Sequence, residues 1–258
     1  AVPFHMWVPD VYDGAPTSVT AFVGTAPKIA AVVFAFRILV TGMGTVHSDW
    51  APMLAILAVA SLVVGNLAAI MQTNIKRMLA YSTVSHMGFI LLAFMAGAVG
   101  FTAGLYYAIT YALMAAVSFG VLMVLSTKDI ECENIKDLAG LNQRHAWFAF
   151  LMLLSMFSMA GIPPMMGFYA KFGVIMALLK QGHVWLSVFA VIMSLIGAFY
   201  YLRVVKVIYF DAPDHDQPVG SNYAAKFVLT VNAFLLLLWG IMPQTVIDWC
   251  AKALENTL

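Results

Sequence analysis

Charge is what this sequence has least of. Charged residues make up 10% of the 258 residues and hydrophobic ones 63%, against roughly 25% charged in a soluble globular domain. That shortage excludes an ordinary water-soluble fold and implies a chain that crosses a lipid bilayer several times. Basic excess is also missing: 13 Lys and Arg against 12 Asp and Glu give a net charge of +1. A nucleic-acid partner, which requires a basic footprint, is therefore not expected. Cysteine is scarce, and the two present, Cys132 and Cys250, stand in no Cys-x-x-Cys or Cys/His cluster, so no zinc, haem or iron–sulfur site is expected in this chain. No Gly-x-Gly-x-x-Gly, P-loop, His-Glu-x-x-His or Ser/His/Asp pattern appears. The chain opens Ala1-Val2-Pro3 without a charged leader pattern, and its apolar character begins at once. That start reads as the middle of a longer protein, so the chain is expected to be a C-terminal fragment.

What is present organises itself around one stretch, Ala160-Gly161-Ile162-Pro163-Pro164-Met165-Met166-Gly167-Phe168-Tyr169-Ala170-Lys171-Phe172. It lies inside an apolar run from about 146 to 180, longer than the ~20 residues a single crossing needs. Proline removes a backbone donor and clashes with the preceding turn, so the helix must break there. Broken backbone at membrane depth survives only where protein or a water-filled cavity satisfies the freed groups. A lysine just past such a break is costly and marks a functional site by default.

The remaining order is a succession of helices. Residues 3–14, with two prolines, two aspartates and several aromatics, suit a half-helix end or interfacial loop. A helix with Pro16 in its first turn is expected to run to about Gly42, carrying Lys28 and Arg37. Crossings at 52–71, 78–98 and 101–126 follow, with Gln72–Arg77 as a polar turn and Gly97, Gly100 and Gly104 marking the next. A polar loop covers 128–145, with one amphipathic turn near 135–141. After the broken helix at 146–180 come helices at 184–210 and 223–250, joined by the loop 211–222. The expectation is an all-α polytopic membrane protein forming a single membrane domain over 1–258, with about seven transmembrane helices plus a partial one.

Orientation follows from the basic residues. Lys76, Arg77, Lys128, Lys136, Arg144, Arg203, Lys206 and Lys226 fall on one side, and only Lys180 and Lys252 on the other. The richer side is read as cytoplasmic, which leaves the C-terminus on the outer, periplasmic side of the cell inner (plasma) membrane.

Three titratable groups share one depth. Lys28 lies 12 residues after Pro16, ~18 Å along its helix at 1.5 Å per residue. His86 is 10 residues past Lys76, ~15 Å deep by the same rise, in an unusually polar turn with Tyr81, Ser82, Thr83 and Ser85. Lys171 stands nine residues before Lys180, ~14 Å from the outer surface. Burial favours the neutral form of a base, which lets a lysine exchange protons, and histidine titrates near neutrality without help. A row of such groups joined by hydroxyls and water is what a lateral proton relay needs. Lys28, His86 and Lys171 are therefore the candidate proton-transfer residues. The plainer alternative makes the lysines structural, paired with acids that fix helix contacts, and His86 a hydrogen-bonded core residue; no acid of this sequence stands at that depth, so such partners would come from residues outside it or from another subunit. Arg37 is expected to snorkel to the outer interface, His5 to sit in an interfacial cap, and Lys76 and Arg77 to fix topology or guard proton uptake. The methionines around 152–166 read as helix contacts.

Three segments carry a resemblance. Pro3-Phe4-His5-Met6-Trp7-Val8-Pro9-Asp10-Val11-Tyr12-Asp13-Gly14-Ala15-Pro16-Thr17 opens the chain, and Gln72-Thr73-Asn74-Ile75-Lys76-Arg77 runs on through His86-Met87-Gly88. With Ala160-Gly161-Ile162-Pro163-Pro164 and Gly167-Phe168-Tyr169-Ala170-Lys171-Phe172, these resemble the antiporter-like proton-translocating subunits of NADH-quinone oxidoreductase, respiratory complex I. The Val-Tyr-Asp-Gly-Ala-Pro-Thr wording is similar to the subunit N branch, which is related to Mrp-type cation/proton antiporter subunits. The resemblance implies half of a fourteen-helix inverted-repeat fold, from the second half of the first broken helix onward. It assigns Lys28 to the connecting lysine of the eighth helix, Lys171 to the lysine of the broken twelfth, and His86 to the polar stretch of the tenth. The family's fifth-helix glutamate and seventh-helix lysine would lie upstream of Ala1. It further implies proton translocation coupled to NADH oxidation and quinone reduction elsewhere, with flavin, iron–sulfur clusters and quinone served by other subunits. The partners it implies are other membrane subunits of complex I, further antiporter-like ones among them. An Mrp-type Na+(K+)/H+ antiporter subunit or the membrane subunit of a related hydrogenase is the alternative assembly.

Overall fold

The computed structural model describes residues 1–126, 131–213 and 223–255. Among them every regular element but one isolated bridge is helical, and six helices are long and apolar enough to cross a membrane. The elements are α1 (Trp7–Gly14), α2 (Thr17–Gly24), α3 (Ala26–Phe36), α4 (His47–Met71), α5 (Ile75–Met95), α6 (Ala98–Leu125), α7 (Leu141–Ala160), α8 (Met166–Lys180), α9 (Val184–Phe210), α10 (Tyr223–Ile241) and α11 (Pro243–Glu255).

The broken helix expected at 146–180 is present as α7 and α8, separated by the loop Gly161–Met165. Gly161 adopts φ +87°, the left-handed conformation that glycine takes without a Cβ penalty. Its N–H donates to Ser158 O at 3.0 Å and the Ile162 N–H to Phe157 O at 3.0 Å, which closes α7 with a Schellman motif. Pro163 and Pro164 then prevent the helix from resuming. At the other lip, the Gly167 N–H of the first turn of α8 donates to Ser158 Oγ at 3.1 Å, so one serine of α7 satisfies an orphan donor of α8.

Two further breaks depart from the sequence expectation. The helix expected from Pro16 to Gly42 is two, because Thr25 leaves helical geometry (φ −120°, ψ −92°). Pro27 supplies no N–H to the preceding turn and disfavours helical conformation just before it. The Thr25 hydroxyl donates to Ala21 O at 2.8 Å, making good one freed carbonyl. After α3 the chain continues as a π-helical turn, Arg37–Gly42, with Arg37 exposed. The last helix, expected over 223–250, breaks at Met242, and Pro243 opens α11 at the first helical position, where proline is tolerated. α11 is amphipathic, with Val246 and Cys250 buried one turn apart, and rests on α6. The loop expected over 128–145 is shorter than anticipated. After a 3-10 turn at Ile135–Leu138, α7 starts at Leu141 and is kinked at His145. Lys128 and most of the 211–222 loop lie outside the described residues.

α5 and α6 form the centre: most of their side chains are buried, whereas α4, α9 and α10 present Ile56, Leu195 and Phe227 outward for lipid. Glycine sets the closest approaches. A Cβ on Gly65 of α4 would stand 2.6 Å from Ser85 N of α5, and one on Gly240 of α10 would stand 2.0 Å from Pro164 O in the break.

The turn between α4 and α5 is tied to α1, α9 and the segment before α7 on the Lys/Arg-rich side. Ile75 N–H donates to Glu133 O at 2.7 Å and Ile135 N–H to Thr73 O at 2.9 Å. Arg203 donates to Ile70 O and Gln72 O at 2.9 and 2.6 Å. Arg77 pairs with Asp10 and Asp13 at 2.9 and 3.2 Å. Lys76, which the sequence marks only as a topology or uptake residue, is instead buried (1% exposed). It is ion-paired with Glu131 and, at 3.4 Å, with Glu133, while Thr17 Oγ1 donates to Glu131 at 3.2 Å. The Lys76 hydrogen bond holds the Glu131 carboxyl below its ordinary 4.5, partial burial working against it. A carboxyl depressed in the folded state contributes stability that is whole above the ordinary carboxylate value and fades as pH falls through the depressed one. The thermal midpoint of the assembled protein in detergent should therefore fall as pH is lowered below about 4.5, and Glu131→Gln should flatten that part of the profile.

Candidate functional site

The three sequence candidates fall within one buried polar seam. Lys28, on α3 one residue after the helix-starting proline, directs Nζ at the Tyr12 hydroxyl (2.7 Å), the Tyr111 hydroxyl (3.1 Å) and Thr83 Oγ1 (3.3 Å). The ammonium also lies over the Tyr111 and Tyr12 rings, 4.7 and 5.3 Å from their centroids, within cation–π range. Thr83 and Tyr111 are hydrogen-bonded to each other at 2.6 Å, so α1, α3, α5 and α6 meet on one lysine.

One helical turn beyond Thr83, His86 is held at both ring nitrogens. Nδ1 is 2.7 Å from the Tyr107 hydroxyl and Nε2 is 2.9 Å from the Tyr201 hydroxyl. A neutral imidazole has one donor and one acceptor nitrogen. Either tautomer can therefore be satisfied if the tyrosine hydroxyls turn, and a proton taken at one nitrogen can leave from the other. The His86 ring also lies 5.1 Å from the Tyr111 ring, which joins this cluster to that of Lys28.

Lys171 occupies the far end of the seam. The Schellman turn leaves the Ala160 carbonyl at the end of α7 without a helical partner, and Lys171 Nζ donates to it at 2.9 Å and to Ser194 Oγ of α9 at 3.0 Å. A cation at a helix C-terminus also meets the negative end of its dipole. Nζ is 5.7 Å from the Phe89 ring centroid, and Phe89 is one turn past His86 on α5. Between His86 and Lys171 is a cavity of about 10 Å³, lined by both residues with Asn66, Ser194, Tyr200 and Tyr201, close to the volume a single water requires. Among the described residues no carboxylate pairs with Lys28 or Lys171.

The structure thus brings Lys28, His86 and Lys171 together but leaves Arg37 and His5 outside. Sequence reading missed Tyr12, Tyr107, Tyr111, Tyr201, Ser194 and Asn66. A signal existed: Tyr107 and Tyr111 are one turn apart in a helix that carries no charge, and Tyr200-Tyr201 interrupts another apolar run. Among the described residues no group of three or more His, Cys, Asp or Glu side chains is arranged to hold a metal.

Comparison with known proteins bears on the family and the fold. Residues 1–197 match the family model described as NADH:quinone oxidoreductase/Mrp antiporter, transmembrane region. The chain belongs to that family. It is 83% identical over 259 aligned residues to NADH-quinone oxidoreductase subunit N of Neisseria gonorrhoeae, covering 100% of this chain and 54% of that protein. The subunit N of Nitrosomonas europaea is 54% identical, again over 100% of this chain and 54% of the relative. The chain therefore spans about half the length of the curated relatives it matches. Among solved structures, a chain of respiratory complex I from Thermus thermophilus with bound aureothin superposes with a TM-score of 0.83 at 31% identity, over 96% of this chain and 54% of that one. A chain of the Mrp complex from Dietzia sp. superposes at 0.88 with 22% identity, over 99% of this chain and 56% of that one, a likeness of fold. The antiporter-like membrane fold is common to both.

Proposed function

We propose that this chain is part of the proton-translocating membrane subunit of an NADH:quinone oxidoreductase, and that Lys28, His86 and Lys171 move the protons. The observation that carries the reading is the continuity of the seam: a lysine bonded to three hydroxyls, a histidine held at both nitrogens, and a second lysine across a water-sized cavity, all inside an apolar bundle. Such a row, enclosed by protein at membrane depth, is costly unless it is used. The similarity to subunit N relatives supports assigning it to complex I.

A proton leaves the Lys28 ammonium by way of the Tyr111 and Thr83 hydroxyls, each giving up its own proton as it takes one, and the amine becomes neutral. His86 accepts a proton at one ring nitrogen and releases one from the other, which exchanges its tautomer. Lys171, neutral until then, takes it up across the cavity and releases it outward, returning to the neutral amine. Lys28 regains its ammonium charge by taking up a proton from the end of the row away from His86. Addition of charge at one end of the row shifts the proton affinity of the next group by Coulomb interaction, strong in a low-dielectric interior. That is how redox work done by other subunits, which hold the flavin, iron–sulfur clusters and quinone, reaches this chain. Its partners are then other membrane subunits of the complex, antiporter-like ones among them. By the excess of lysine and arginine at one end, the chain sits in the inner (plasma) membrane with its C-terminus on the periplasmic side.

The test is NADH-driven acidification of inverted membrane vesicles bearing the intact complex with Lys28→Ala. Removing one proton-transfer group is expected to cut pumping on the order of 10²-fold, the lower end of acid–base effects, with NADH oxidation by an artificial acceptor unchanged. Wild-type pumping in this variant would refute the role of Lys28. Because the family includes Mrp-type antiporters, the same vesicles should be tested for NADH-independent sodium/proton exchange, and its presence would favour that assembly instead.

A further inference from the structure

Asn66, five residues before the end of α4, is the one amide side chain of that helix, and it is buried (1% exposed). Nothing in the relay requires an amide there. Its carboxamide faces α9 and is used at both ends: Nδ2 donates to Met193 O at 3.0 Å, and Oδ1 accepts from the Tyr200 hydroxyl at 3.1 Å. Met193 and Tyr200 are seven residues apart, two turns along one face of α9. Between them lies Gly197, where a Cβ would approach Asn66 Oδ1 to 3.0 Å. One side chain of α4 therefore grips α9 at two heights, and a glycine between them admits it.

The residues of α9 that face the seam stand one position further on at each height. Ser194 follows Met193 and accepts from Lys171, and Tyr201 follows Tyr200 and bonds His86. Neighbouring residues of a helix are turned by 100°, so the rotation of α9 that puts Met193 and Tyr200 on Asn66 also puts Ser194 and Tyr201 into the seam. A slip of a fraction of a turn would part both hydroxyls from their partners, since hydrogen bonds weaken steeply with misalignment. We infer that Asn66 is a positioning residue for proton transfer: it fixes the rotation of α9 and so holds Ser194 on Lys171 and Tyr201 on His86. It exchanges no proton itself.

This inference rests on the relay reading, so its test includes Lys171→Ala as a reference. Asn66→Leu, close in volume but unable to bond, and Gly197→Ala, which pushes at the same contact from α9, are introduced into the full-length subunit. Assembly is followed by NADH-dehydrogenase activity staining of the native complex, and pumping by vesicle acidification per NADH oxidised. Both variants are expected to assemble and to lose at least half of the protons moved per NADH. Combining Asn66→Leu with Lys171→Ala is expected to cost no more than Lys171→Ala alone, because both act on one contact chain. A merely structural role would instead make the losses multiply. Normal pumping by Asn66→Leu beside an impaired Lys171→Ala overturns the positioning role and leaves the relay standing. Normal pumping by Lys171→Ala overturns the relay reading itself. Failure of both Asn66→Leu and Gly197→Ala to assemble makes Asn66 a fold determinant and overturns the inference.

Discussion

Lys171→Ala in the assembled complex is expected to reduce NADH-driven proton pumping on the order of 10²-fold, as the loss of a proton-transfer group does. Two effects are combined in that variant and can be separated. Lys171 carries a proton-exchanging amine, and it also donates to Ala160 O, the carbonyl left over where α7 stops. Leaving that buried carbonyl bare costs about 1–3 kcal/mol, which a complex assembled from many subunits can absorb, but the loss confuses structure with chemistry. Lys171→Arg divides them. A guanidinium keeps the positive charge and can still donate to Ala160 O and Ser194, yet it does not give up its proton in a protein. If Lys171 is a proton-transfer group, Lys171→Arg restores assembly and thermal stability but not pumping. Recovery of pumping in Lys171→Arg would reduce the lysine to a fixed charge capping a broken helix.

The second large effect concerns the break itself. α10 crosses the Gly161–Met165 loop with Gly240 at the contact, where a Cβ would lie 2.0 Å from Pro164 O and 2.7 Å from Met165 C and Met166 N. These are backbone atoms of a segment fixed by two prolines, and they cannot step aside as a flexible side chain would. Gly240→Ala should therefore displace α10 or the loop, at an overpacking cost of about 1–3 kcal/mol or more. Because the loop holds Ala160 O and the start of α8, the displacement reaches Lys171. The expected result is less assembled complex in native gels, a lower thermal midpoint and weaker pumping in what assembles. Leu238→Ala, two residues earlier on the lipid-facing side of α10 and 51% exposed, serves as the control that should leave all three near wild type. Equal behaviour of the two variants would show that Gly240 is not a required contact.

The two lysines illustrate how much of the site was legible in the sequence. Depth along a helix is a local count at fixed rise, so Lys28, His86 and Lys171 could be singled out without a structure, although the count from Pro16 to Lys28 runs across the break at Thr25. The Gly161–Pro164 break was equally legible, since left-handed glycine and donorless proline act on their own turn. The breaks at Thr25 and Met242 use the same chemistry through Pro27 and Pro243. They were hidden because the apolar run continues through both, and hydropathy does not register a change of helix direction.

Partners were a different matter. Which tyrosines meet Lys28 depends on how α1, α3, α5 and α6 rotate against one another, and Tyr12 and Tyr111 are 16 and 83 residues from it. Lys76 stood in the sequence as one more positive charge beside a turn. Only the fold shows it buried on Glu131, 55 residues away, because two loops close over it. By itself the sequence determined a helical membrane chain, the place where its helix breaks at Gly161–Pro164, and three titratable groups within its apolar segments, all consequences of backbone chemistry and residue spacing. The tertiary structure alone decided which hydroxyls and which carbonyl meet those groups, and that Asn66 bonds Met193 and Tyr200 across Gly197 of α9. Helix rotation and register come from contacts between distant segments, and no local pattern encodes them.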